Sequence, residues 1–177
     1  MVKKAQIMDS QTMIRAIKRI SHEILERNNG AENLCILGVK RRGVPLAKII
    51  CDNIMQFEGV NVPFGELDIT LSRDDLDEER KKELATESII PINLTDKTVI
   101  IVDDVLYTGR TAKASIETVF KFGRPQSVQL VALIDRGHRE LPVRPDYVGK
   151  NVPTSKQEKV VVMIDGIDGE TGVYISE

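Results

Sequence analysis

The chain contains no tryptophan, only two cysteines and two histidines, and few aromatic residues of any kind (4%). No apolar run approaches the roughly 18 residues that a membrane span needs, so no membrane partner is expected. The opening MVKKAQIMDSQ carries two lysines but no apolar core, which gives no sign of a signal peptide. Cys35 and Cys51 sit singly in apolar segments (LCILG and KIICDNI) and read as buried thiols of a cytoplasmic protein, not as a disulfide or metal pair. Neither His22 nor His138 adjoins a candidate nucleophile. A net charge of −2 argues against a generic polyanion binder. Repeats and low-complexity segments are absent.

What is present is an ordinary globular composition, 41% hydrophobic and 29% charged over 177 residues, a length that suits one domain spanning residues 1–177. The charge is unevenly spread. DDLDEERKKELATE (74–87) concentrates acid, whereas the first helix and residues 136–159 are rich in Arg and Lys. In DSQTMIRAIKRISHEILERNNG the apolar Met13, Ile14, Ile17, Ile20, Ile24 and Leu25 recur at helical spacing, with Asp9 or Ser10 as cap and Gly30 beyond the end. NLCILGV reads as a buried strand, followed by a K-R-R-G loop and a helix over about 44–57. GELDITLS reads as a strand, and the polar stretch 73–88 after it is longer than an ordinary connection, so it is expected to be a flap or hairpin. TVIIVDDV is a buried strand, with a helix over about 111–122 ending at Gly123. SVQLVALIDRG is a further strand, and shorter ones are expected at DYVGK and KVVVMI. Buried strands alternating with helices predict an α/β fold, a mainly parallel sheet with helices on both faces and ligands at the carboxyl ends of the strands.

Those strand ends carry the chemistry. Thr108-Gly109-Arg110-Thr111 stands at a strand-to-helix turn, where free amides and threonine hydroxyls can cradle a phosphate; alone, the same four residues would serve equally as a plain helix cap. The adjacent Asp103 and Asp104 shift that balance. Paired acids repel unless something neutralises them, and ribose hydroxyls, or Mg2+ bridging to those hydroxyls, would do so. Lys40, Arg41 and Arg42, between Gly38 and Gly43, suit a second anionic group such as pyrophosphate, although a solvated basic loop is the plainer alternative. A phosphate, hydroxyls and a pyrophosphate in that order describe phosphoribosyl pyrophosphate.

The run VIIVDDVLYTGRT (99–111) resembles the signature of the type I phosphoribosyltransferases. With GVKRRG, GELDITLSRDDL, LIDRGHRELPVRPDYVGKNVPTSK and RAIKRISHEILERN, nearly the whole chain resembles the bifunctional pyrimidine operon attenuation regulators that have uracil phosphoribosyltransferase activity. The resemblance implies the type I phosphoribosyltransferase fold with a flexible hood over about 70–88. It implies Asp103 and Asp104 on the ribose hydroxyls, holding Mg2+ indirectly, and Arg41 joining them in catalysis. It places Lys40, Arg41 and Arg42 on the pyrophosphate and Thr108, Gly109, Arg110 and Thr111 on the ribose phosphate, and it counts Val105, Leu106 and Tyr107 among the substrate-binding residues. Asp135, Arg136 and the strands near Tyr147 and Val160 would border the base. Purine-specific relatives carry a carboxylate where this chain has Tyr107, so Tyr107 speaks against a purine and for uracil, with phosphoribosyl pyrophosphate as donor and UMP as product.

The resemblance further implies binding to a stem-loop in an mRNA leader, promoted by UMP or UTP, in a homodimer or higher homo-oligomer. Independent support is local: Arg15, Lys18, Arg19 and His22 recur at spacings of three and four, opposite the apolar stripe, and Arg27 extends that face. His138, Arg139, Arg144, Lys150 and Lys156 form the other basic segment. A solvated helix face, interrupted by Glu23 and Glu26, is the plainer reading of the first group. Two rival functions remain: a regulator whose site senses nucleotide without turnover, and a receiver-like domain, which also pairs acids at a strand end but has no use for T-G-R-T.

Overall fold

The computed structural model describes residues 3–176. In chain order the elements are β1 (Lys3–Met8), α1 (Ser10–Arg27), β2 (Leu34–Val39), α2 (Gly43–Glu58), β3 (Phe64–Leu67), a 3-10 turn (Thr70–Ser72) and α3 (Glu78–Leu84). They continue with β4 (Thr98–Leu106), α4 (Arg110–Val119), a second 3-10 turn (Phe120–Phe122), β5 (Ser127–Asp135), β6 (Tyr147–Asn151), β7 (Lys159–Met163), α5 (Asp165–Asp168) and β8 (Gly172–Ser176).

Five strands form a parallel sheet in the order β3-β2-β4-β5-β6. Alternate residues of β2, β4 and β5 serve opposite faces, as the two-residue period of a strand requires. Leu34, Ile36, Ile100, Val102, Val131 and Leu133 meet α1 and α2 on one face, while Cys35, Leu37, Val99, Ile101, Leu130 and Ala132 meet α4 on the other. Burial on both faces explains why these strands read as unbroken apolar runs. Asp9 caps α1, its Oδ1 accepting from Thr12 N at 2.7 Å. Gly123, at φ 142, stops the second 3-10 turn where a side chain would crowd Thr95 and Asn93.

Three expectations are corrected. The strand in GELDITLS stops at Leu67, and Thr70–Ser72 is a 3-10 turn, because the Asp68 carboxylate captures the Thr70 amide at 2.8 Å. The polar stretch is no β-hairpin. It contains α3, capped by Asp77 Oδ1 on the Arg80 amide (2.8 Å), and returns through a single bridge between Glu66 and Ile89. KVVVM does not join the main sheet; β7 pairs with β8, and β8 with β1, in a separate antiparallel sheet, order β1-β8-β7. The N-terminal and C-terminal strands were not legible in the sequence, since each is short and β1 finds its partner, β8, at the other end of the chain.

Candidate active site

The carboxyl ends of β2, β3 and β4 open on one crevice of about 1000 Å³, walled on its far side by residues that follow β7. Asp103 and Asp104 lie on its floor at the end of β4. Asp103 Oδ1 accepts from the Asp104 amide (2.9 Å) and Asp104 Oδ1 from the Val105 amide (2.8 Å), which fixes both carboxylates without neutralising either. Burial first, and the neighbouring Asp104 charge second, push the Asp103 carboxyl well above the usual carboxylate range. Such a pair is built to receive a cation or hydroxyl donors.

Thr108 and Gly109 carry the chain from β4 into α4. Gly109 adopts φ 94, a left-handed conformation open to glycine, and α4 starts with no side-chain cap. The Thr108 hydroxyl takes the Arg110 amide at 3.3 Å, and the Thr111 and Ala112 amides make no hydrogen bond among the described residues. Uncapped amides at the positive end of a helix are an anion site. The Arg110 side chain does not join it, because its guanidinium bridges Asp74 (2.6 Å) and Glu140 (2.9 Å).

The basic loop after β2 divides its cations. Arg41 is exposed, and its guanidinium makes no hydrogen bond or ion pair among the described residues. Arg42 grips Asp168 of α5 with Nη2–Oδ1 at 2.8 Å and Nε–Oδ2 at 3.3 Å. Lys40 Nζ donates to Thr86 Oγ1 (3.2 Å) and Glu87 O (2.9 Å), on the returning limb of segment 70–88. The Lys40–Arg41 peptide bond is cis. The flanking glycines have a different reason from the one expected. A Cβ at Gly43 would stand 2.2 Å from Val102 O and one at Gly38 2.5 Å from Val44 Cα, so these glycines admit β4 and α2 and need no ligand to explain them.

Several expected base-bordering residues are not in this crevice. Tyr147 opens β6 at the opposite end of the sheet, 3% exposed, with its hydroxyl donating to Gln129 at 2.6 Å; it is a core residue. Val160 sits in the small sheet opposite Ile175 and packs on the core, while Ile164, Gly166 and Ile167 just beyond it line the crevice instead. Asp135 and Arg136 line a second cleft of about 610 Å³ beside the first, together with His138, Arg139, Arg144 and Thr154. Arg136 is buried, its guanidinium 4.0 Å over the Tyr107 ring, and its Nε has no partner among the described residues. Leu106 is buried in the core and Val105 lines the crevice. Asp68, Thr86, Ile164, Ile167 and Asp168 were missed as site residues; the turn-like DGIDG (165–169) is the one local signal that pointed to Ile167 and Asp168.

The expected RNA face is exposed along α1 at Arg15, Lys18, Arg19, His22 and Arg27. Part of it is committed internally: Arg19 pairs with Glu23 (2.7 Å) and donates to Val148 O and Gly149 O (3.0 and 2.7 Å), and Arg27 pairs with Asp146 (2.7 Å). Arg19 thereby seats the helix against β6, which carries Lys150 and follows the loop bearing Arg144. His22 stacks on Phe57 at 3.9 Å. Arg139 is not free: it clamps Asp135 (2.5 Å), Tyr107 O (2.8 Å) and Val143 O (2.8 Å). His138 is bonded to Thr154 O at 2.6 Å. Exposed Lys156 follows that turn.

Comparison with known proteins places this geometry. The model of the phosphoribosyl transferase domain matches residues 4–165. Bifunctional protein PyrR of Clostridioides difficile is 55% identical over 177 residues, the whole of both chains. That of Acetivibrio thermocellus is 55% identical over 177 residues, covering 100% of this chain and 96% of its own. That of Deinococcus radiodurans is 54% identical over 166 residues, covering 94% and 91%. Among solved structures, a hypoxanthine phosphoribosyltransferase from Trypanosoma cruzi superposes with a TM-score of 0.76 at 19% identity, covering 99% of this chain and 96% of that one. At that identity it speaks for the fold alone.

Proposed function

The chain belongs to the phosphoribosyl transferase domain family and, within it, to the bifunctional PyrR proteins; from that premise we propose how its own residues perform the two functions. It is a uracil phosphoribosyltransferase and a regulator of pyrimidine synthesis. The observation that carries the enzymatic reading is the acid pair and the uncapped α4 amides at the two ends of one β4–α4 loop, facing a basic loop across the crevice.

In this reading the amides of Thr111 and Ala112, with the hydroxyls of Thr108 and Thr111, hold the 5′-phosphate of phosphoribosyl pyrophosphate. Asp103 and Asp104 accept from the ribose hydroxyls. Arg41, whose side chain has no partner among the described residues, and Lys40 receive the pyrophosphate. The bond from ribose C1 to pyrophosphate breaks first, and the carboxylates stabilise the positive charge that grows on the ring; uracil N1 then attacks, and its proton passes to solvent or to the departing pyrophosphate. The site offers no general base beside Tyr107, which suits an acceptor of low basicity. Segment 70–88 excludes water, since hydrolysis is the competing reaction.

Mg2+ fits these residues. Among the described residues no group of three or more His, Cys, Asp or Glu forms a metal cage, and Mg2+ characteristically uses one or two carboxylates plus substrate oxygens and water. Asp103 and Asp104 would hold it through ribose hydroxyls or water, and it would supply charge against the leaving pyrophosphate. Incubation with phosphoribosyl pyrophosphate, Mg2+ and uracil tests the reading: UMP must form, and its absence would reduce the site to a nucleotide sensor.

For regulation we infer uridine-nucleotide-promoted binding of an mRNA leader stem-loop, acting by transcription attenuation in the cytoplasm, through the α1 face and the Arg144–Lys150 segment that Arg19 joins to it. Exposed Ile14 and Phe120 offer contact area for a homodimer or larger homo-oligomer. Leader-RNA affinity measured with and without UMP at several salt concentrations tests this; affinity indifferent to both nucleotide and salt would refute it.

A further inference from the structure

Lys40 leaves β2 at the wall of the crevice, half-buried, yet its ammonium is spoken for by the hood rather than by solvent. Two of its three protons go to Thr86 Oγ1 and Glu87 O, and Glu66 stands 3.7 Å away. Thr86 gives its own hydroxyl proton to Asp68, and its amide donates to the same carboxylate oxygen at 3.2 Å. Asp68 also takes the Thr70 amide (2.8 Å), and its own amide donates to Ser88 Oγ (2.9 Å). Asp68 therefore staples together the chain that enters segment 70–88 and the chain that leaves it.

The result is a continuous relay, Lys40 to Thr86 to Asp68, from the basic loop to the root of the hood. An exposed lysine on a four-carbon stem samples many rotamers, and a polyanion must order it before gaining from its charge. Here the relay orders it beforehand and leaves one proton undirected to any close acceptor. Burial opposes the Asp68 charge, but the hydrogen bonds from Thr86 and Thr70 outweigh that and hold its carboxyl below the usual range, so the relay keeps its anionic end at neutral pH.

We propose that Asp68 and Thr86 are positioning residues for the pyrophosphate end of the donor: through Lys40 they couple the seating of the hood to occupation of the basic loop. The coupling is reciprocal, as any linkage must be, so pyrophosphate should fasten the hood as the hood fastens Lys40. The proposal rests on the phosphoribosyltransferase reading above.

Thr86→Val removes the hydroxyl, keeps the shape and retains the backbone amide on Asp68; Thr86→Ser restores the hydroxyl. For Thr86→Val, the KM for phosphoribosyl pyrophosphate and the dissociation constant of magnesium pyrophosphate are expected to rise about tenfold, the scale of one hydrogen bond to a charged group. The KM for uracil should stay within about twofold. Thr86→Ser should recover both donor constants to within about threefold. Pyrophosphate should slow tryptic cleavage at Arg80–Lys82 in the wild type and in Thr86→Ser, but not in Thr86→Val. Equal pyrophosphate affinity in wild type and Thr86→Val overturns the proposal, and so does a loss in Thr86→Val spread equally over donor and acceptor with a lowered melting temperature. Calorimetric pyrophosphate binding needs no turnover, so a wild type that binds pyrophosphate but makes no UMP sinks the enzymatic reading while this comparison still decides the relay.

Discussion

Arg42 and Asp168 join the basic loop to α5 by two hydrogen bonds of 2.8 and 3.3 Å, so one of the loop's three cations is held by the C-terminal segment before any ligand arrives. Asp168 Oδ2 also takes the Ile164 amide at 3.0 Å, which anchors the acid itself. The pairing raises the Arg42 guanidinium and lowers the Asp168 carboxyl from their ordinary values, in each case first through the hydrogen bond between them. Because the carboxyl is depressed on folding, its contribution is complete above the ordinary carboxylate range, about pH 4, and is lost only as pH falls through the lower folded value.

Asp168→Asn should therefore raise the KM for phosphoribosyl pyrophosphate about fivefold by loosening the loop, modestly because the pair is partly solvated. The defect should be constant from pH 6 to 9. In the wild type, carboxyl chemical shifts of Asp168 should show no titration above about pH 4.

Asp104→Asn should lower UMP synthesis at least a hundredfold, about 2.7 kcal/mol of transition-state stabilisation, and leave leader-RNA affinity unchanged. Arg144→Ala should do the reverse. Steady-state rates and filter binding on the same preparations check both; parallel loss of the two activities in Arg144→Ala would indicate a shared site or misfolding.

Were about five cations of the α1 and 144–150 surface to meet phosphates, a fourfold rise in salt should weaken RNA binding about a hundredfold. A titration between low and physiological salt reads the slope directly, and Lys18→Ala should make it shallower by close to one phosphate.

Tyr107→Ala should destabilise the protein by about 2 kcal/mol in urea unfolding. It removes the ring beneath a buried guanidinium whose Nε already lacks a partner among the described residues. Tyr107→Phe should stay within about 0.5 kcal/mol, because the hydroxyl has no partner among the described residues and the ring remains.

Burial pushes the Cys35 thiol up to about 11 and the Cys51 thiol up to about 12, the latter with a smaller push from Asp52. Thiolate is then scarce at neutral pH, and a disulfide reagent should modify Cys35 only at the rate at which the protein opens, with half-buried Cys51 reacting slowly but sooner. The expectation of buried thiols from LCILG and KIICDNI is met in full for Cys35 and in the main for half-buried Cys51.

The sequence alone indicated a mainly parallel sheet flanked by helices, α1 with a cap at Asp9 or Ser10, and the acid pair beside T-G-R-T, because each is written in consecutive residues: apolar runs, a helical stripe, a strand that ends in two carboxylates. It did not determine which cations of K-R-R-G stay free, that Arg110 would bridge Asp74 and Glu140, or that Tyr147 would be core. Those outcomes depend on partners 30 to 130 residues away, such as Asp168 for Arg42 and Thr86 for Lys40. The short strands at the two ends of the chain and the staple at Asp68 are of the same kind. Local chemistry fixes an element and its ligand preference, whereas the allocation of each charge is settled only when tertiary packing decides which opposite charge or carbonyl comes within hydrogen-bonding reach.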